Sequence, residues 1–158
     1  MKKEILTWEI LNDFLQKELK KSKHIMTWGT IGSLNIEHDI DTIITKKPTS
    51  SSANFYKEIH KVFETLDNYL EDNFGSRAVR ISRTADEVFY KSLSKDKSTK
   101  IVFHTMIYTT YSQIVKDWSW ALHPDIQLDK ILDKINFLIG RREDFNNSDF
   151  RKELFYDA

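Results

Sequence analysis

Cysteine is absent from the chain, which excludes a disulfide framework and any thiolate-held metal and leaves the compartment unread by redox usage. An excess of charge is absent too: 24 basic residues meet 24 acidic ones, for a formal net charge of zero. Such a chain has no global field to draw in a long nucleic acid, so a nucleic-acid contact would need a local basic patch. No stretch approaches the roughly 18 uninterrupted apolar residues of a membrane-spanning helix. The opening Met1-Lys2-Lys3-Glu4 lacks the apolar run of a secretory signal, and no internal repeat is visible. The expectation is a soluble, cytoplasmic protein with no membrane partner.

What is present is ordinary globular composition: 158 residues, 40% hydrophobic and 30% charged, enough for one domain with its own core. Residues 5–21 carry Ile5, Trp8, Leu11, Leu15 and Leu19 at spacings of three and four, which predicts an amphipathic helix with a basic last turn. Residues 24–31 are short, β-branched and aromatic and run into Gly32-Ser33, a strand ending in a tight turn. Residues 39–45 read as a second strand closed by Lys46-Lys47-Pro48. After a polar loop at 49–52, the stripe Phe55, Ile59, Val62, Phe63, Leu66 and Leu70 predicts a long helix over 53–73, with Gly75 as its stop. Residues 77–83 and 87–93 look like a strand pair, and 100–108 is the strongest β segment. Residues 112–120 and 126–139 have helical patterns, the second through Ile126, Ile131, Leu132, Ile135 and Leu138. The whole predicts a single α+β domain over residues 1–158, with a mixed sheet of about four to five strands covered by helices. Its core would span about 5–108 and its helical C-terminal part about 110–158.

The chemistry concentrates between Gly32 and Asp41. Alternate residues of a strand share a face, so Asp39 and Asp41 would stand side by side about 6–7 Å apart at the α-carbons, with Ile40, Thr42 and Ile44 turned to the core. Two adjacent carboxylates repel unless a cation sits between them, and hard oxygen ligands suit Mg²⁺ or Mn²⁺ rather than zinc. Gly32 lets the backbone approach a ligand, and Ser33 adds N–H and O–H donors, a plausible cradle for outer phosphates. Gly-Ser pairs and Asp-x-Asp triplets are common singly; the succession of strand, Gly-Ser, Asp-x-Asp, strand and long helix is the informative feature.

In that succession the chain resembles the DNA polymerase β-like nucleotidyltransferase superfamily, on Ile31-Gly32-Ser33 followed by Asp39-Ile40-Asp41 and Thr42-Ile43-Ile44. The resemblance covers about residues 5–108 and is closest to the minimal single-domain members. It implies transfer of a nucleotidyl group from a nucleoside triphosphate to a hydroxyl acceptor, with two Mg²⁺ ions held by Asp39 and Asp41. The five-residue connection from Ser33 to Asp39 is shorter than the family's usual one. The family also expects a third carboxylate on a later strand. On residues 100–108 the polar candidate for that place is His104, able to ligate a metal or serve as a base; Asp86 or Glu87 are the acidic alternatives.

Around this nucleus, Arg80 and Lys46 are candidates for the triphosphate, a guanidinium being suited to bidentate phosphate contact. Arg77, Arg83, Lys91 and Lys47 are further basic residues whose plainer role is a solvated face or loop. Tyr108, Tyr111, Trp118 and Trp120 offer stacking surfaces, with core packing the plainer role. Two readings compete with catalysis: a silent nucleotide-binding regulatory module, supported by His104 in place of an acid, and a protein-interaction domain using the aromatics of the C-terminal third.

Overall fold

The computed structural model describes residues 6–31, 40–83, 87–94, 100–109 and 132–146, apart from the side chains of 79–83, 87–89, 94 and 146. Helix α1, Trp8–Leu19, starts where Thr7 in extended conformation accepts the Ile10 N–H at 3.3 Å, and it buries Leu11, Leu15 and Leu19. Strand β1, Ile25–Ile31, and strand β2, Ile40–Lys46, form an antiparallel pair. Helix α2, Ser52–Phe74, is capped by the Ser51 hydroxyl at one end and stopped at the other by Gly75 in the left-handed region at φ 67°. Glycine bears that conformation without strain. Strands β3, Ser76–Arg83, β4, Glu87–Ser94, and β5, Lys100–Tyr108, follow as a meander.

Among the described residues the sheet has six strands in the order β3-β4-β5-β2-β1-β6, with β2 and β5 parallel and every other neighbouring pair antiparallel. A parallel pair requires a long connection; here α2, β3 and β4 supply it. The helices cover one face. Leu11, Leu15, Phe55, Ile59, Leu66 and Leu70 pack there with Trp28, Ile40, Ile44, Phe103 and Ile107 in one buried cluster. Phe63 sits at its centre, ring centroids 5.4 Å from Trp28, 5.5 Å from Tyr90 and 6.0 Å from Phe103. The opposite face has a smaller core of Ile43, Tyr108, Leu132, Ile135 and Phe145, the last from a 3₁₀ turn at Arg142–Asn146. Tyr108 is thus a core residue.

Residues 132–134 are helical as expected, but the sixth strand, β6, Ile135–Ile139, corrects the helical reading over the last five residues of 126–139 and raises the strand count among the described residues above the expected four to five. The three-residue spacing of Ile135 and Leu138 looks helical, but a helix would place both on one face. In the sheet a register shift between Trp28 and Gly29 makes Trp28 pair with Ile139 and Gly29 with Phe137, leaving Leu138 as a bulge. Ile135 therefore joins the small core and Leu138 the large one. Residues 112–120 and 126–131, with Tyr111, Trp118 and Trp120, lie outside the described residues. Among the described residues no helix is long and apolar enough to cross a membrane.

Candidate functional site

Ile31 ends β1 and Asp41 is the second residue of β2, and the two are paired across the strands. The same row continues in both directions. Ile135 of β6 pairs with Ile31, His104 of β5 with Asp41, and Phe89 of β4 with His104. Gly32, Ser33 and Asp39, the other expected members of the site, lie outside the described residues, as does Asp86.

Alternation along β2 sends Ile40, Thr42 and Ile44 into the sheet's helix-covered side, where they are 1%, 0% and 0% exposed. Asp41 is turned to the opposite face, and so is His104, because register partners share a face. The Asp41 Oδ1 and His104 Nδ1 atoms are 3.6 Å apart, with 54% and 37% of the two side chains exposed. The separation exceeds a hydrogen bond, and an ion pair so open to water contributes about 0–1 kcal/mol even with the imidazole protonated. The pair is therefore reachable by a ligand and is weakly motivated by stability. Its apolar border is Ile31 and Met106, both packed against the small core, with Ile43 inside that core.

Behind the pair, on the helix side, Thr30, Thr42 and Thr105 form the next row across β1, β2 and β5, all buried. The Thr42 hydroxyl donates to the Ile40 carbonyl at 3.4 Å, whereas the Thr30 and Thr105 hydroxyls have no hydrogen-bond partner among the described residues. Among the described residues no group of three His, Asp, Glu or Cys side chains converges in a way that could hold a metal. Asp41 and His104 make a two-donor set, one oxygen and one nitrogen.

The basic candidates divide by position. Lys91 stands on β4 opposite Val102, two residues from Phe89 and so on the face of the Asp41–His104 pair. It is half-buried and makes no ion pair with the described residues. In the sequence it stood among the basic residues whose plainer role is a solvated face, and its place on the face of His104 follows from the β4–β5 register. Arg80 pairs through its backbone with Lys91. Arg77 is tied to Glu71, Nε to Oε1 at 3.5 Å. The structure does not bring Lys46 to Asp41. It ends β2 five residues on, about 16 Å along the strand at ~3.3 Å per residue, with its ammonium donating to the Lys47 and Ser50 carbonyls at 3.0 and 2.7 Å.

Compared with family models, curated proteins and solved structures, the chain matches none.

Proposed function

We propose that this chain is a metal-dependent nucleotidyltransferase that moves a nucleoside monophosphate from a triphosphate to a hydroxyl acceptor, on a nucleotidyltransferase-like α+β fold. The reading is carried by one observation: Asp41 pairs with the last residue before Gly32-Ser33 on one side and with His104 on the other. The exposed carboxylate is thus flanked by a strand whose last residue precedes Gly32-Ser33 in the sequence and by a second strand that offers a metal donor.

Asp39 and Asp41 are the proposed ligands of Mg²⁺ or Mn²⁺, with His104 as the further candidate beside Asp41, and Gly32 and Ser33 are the residues assigned to the outer phosphates. The bound cation supplies neutralisation of the triphosphate charge. The acceptor's hydroxyl oxygen forms a bond to the α-phosphorus while the bond from that phosphorus to the β-bridging oxygen breaks. Pyrophosphate leaves with the electron pair of the broken bond, and the hydroxyl proton passes to solvent. Lys91 and Arg80, on adjoining strands, are the cations assigned to the phosphates. The apolar border at Ile31, Ile43 and Met106 limits water on one side of the reacting atoms.

A second reading is a silent nucleotide-binding module on the same fold; the imidazole of His104 where an acid is expected favours it. The test mixes the protein with each labelled triphosphate and Mg²⁺ or Mn²⁺ and follows pyrophosphate. Metal-dependent release that Asp41→Asn abolishes supports the transferase. A rise in melting temperature with triphosphate and metal, but no release, supports the silent module. Neither release nor a melting shift removes both.

A further inference from the structure

The chain has no net charge, yet its charges are not evenly spread. Residues 17–24 and 54–65 hold six exposed lysines, Lys17, Lys20, Lys21, Lys23, Lys57 and Lys61, against Glu18, Glu58 and Glu64, an excess of three positive charges. The two segments are fastened together, because Glu58 of α2 accepts the Ser22 hydroxyl and the Lys23 and His24 N–H groups, each at 2.8 Å. Beside this contact lies a groove lined by Glu18, Lys21, Ser22, Glu58, Lys61 and Thr65. Of the six lysines only Lys21 has an ion-pair partner among the described residues, Glu18 at 3.2 Å. The macrodipole of α1 favours lysines at its C-terminal end. Lys57 and Lys61 gain nothing of that kind: four residues apart in the N-terminal half of α2, they repel each other. The stability of α2 does not account for them.

We infer that this groove binds the sugar-phosphate backbone of a duplex nucleic acid. Lysine is a mobile point charge, suited to phosphate contacts that carry no sequence information. Among the described residues no aromatic ring lines the groove, so it offers no platform for the unstacked bases of a single strand. It offers a lipid surface no apolar face either, since the stripes of α1 and α2 are buried against the sheet. The groove stands on the helix-covered side, next to the start of β1 at Ile25, whereas Asp41 is on the opposite face beside Ile31 at its end. Those two levels are about 20 Å apart at ~3.3 Å per residue of strand. The inferred contact is therefore separate from the triphosphate reading and adds a macromolecular partner to it.

The experiment follows the fluorescence anisotropy of a labelled DNA duplex of about 20 base pairs as the full chain is added, at salt from about 50 to about 200 mM. Neutralising three phosphates predicts an affinity that falls about fortyfold across that range. In the double variant Lys57→Gln/Lys61→Gln the fall shrinks to about fourfold, and binding at the lower salt weakens about tenfold or more. Its melting curve stays at or above the parent's, because a repulsion has been removed. Lys134→Gln, exposed elsewhere on the chain, leaves duplex binding as it was. No duplex binding at the lower salt, or equal binding by the parent and the double variant, would overturn the inference. Tighter binding to the separated single strand would overturn it too. So would binding to vesicles of phosphatidylserine and phosphatidylcholine in place of the duplex, which would assign the lysines to a membrane surface.

Discussion

The Asp41 carboxylate and the His104 imidazole face each other across two parallel strands, Oδ1 to Nδ1 at 3.6 Å, with β2 and β5 in register at this pair. Neighbouring the pair on one side is Ile31, where β1 ends. The sheet's helix-covered face behind it is fully buried, so the two polar groups are the exposed end of a rigid platform.

Lys91 shares that platform's open face. A single ammonium-to-phosphate contact contributes about 1.5 kcal/mol, so Lys91→Gln is expected to weaken triphosphate binding about tenfold, and Lys91→Arg by much less. Calorimetric titration of a non-hydrolysable triphosphate into each variant measures this. Unchanged affinity in Lys91→Gln would remove the residue from the phosphate site.

Lys46 is expected to behave in the opposite way. Its ammonium holds the carbonyls of Lys47 and Ser50, so Lys46→Met should lower stability by about 1 kcal/mol and leave triphosphate affinity as it was. Denaturant melts beside the same titration separate the two effects.

Glu58, on α2, fastens the connection from α1 to β1. Its carboxylate accepts the Ser22 hydroxyl and the Lys23 and His24 N–H groups, each at 2.8 Å. Partial burial pushes its pKa up, but these three hydrogen bonds and the nearby His24 charge outweigh burial and hold it below the usual 4.5. The folded state therefore binds this proton less readily than the unfolded chain. The stabilisation is complete above pH 4.5 and is lost as pH falls through the lower folded value. Melting temperature against pH should fall less steeply on the acid side for Glu58→Gln than for the parent, starting from a lower plateau. Parallel curves would show that Glu58 carries no pH-linked stability.

Gly29 lies where β1 meets β6. A Cβ there would collide with Ile135 Cγ2 and stand 3.2 Å from the Asn136 carbonyl oxygen. Gly29→Ala is expected to cost about 2 kcal/mol through displacement of β6, read as a lowered denaturant midpoint. An unchanged midpoint would mean that β6 is free to shift at no cost.

The parts of the fold legible from sequence are those fixed by local chemistry. The stripe from Phe55 to Leu70 with Gly75 behind it specifies α2, and the β-branched and aromatic run from Lys100 to Tyr108 specifies β5 with the observed bounds. β6 was hidden because Ile135 and Leu138 serve cores on opposite faces of the sheet, so that their spacing of three imitates a helix, and because the partner edge on β1 is more than a hundred residues away. The same limit applies to the site. Alternation around Asp41 is local and readable, whereas the row shared by Asp41, His104 and Phe89 depends on how β4 and β5 align with β2 after α2 has crossed the sheet. For Lys46 the sequence conveys a charge after a strand but not the turn whose two carbonyls occupy it.

The central claim is that Asp41 holds a cation that binds a triphosphate. Its most direct test is calorimetric titration of a non-hydrolysable nucleoside triphosphate with Mn²⁺ into the parent chain and Asp41→Asn. The account predicts saturable, Mn²⁺-dependent binding in the parent and a loss of about a hundredfold or more in the variant, whose melting curve stays close to the parent's. Equal binding by the two proteins, or none by the parent with Mn²⁺ present, would contradict it.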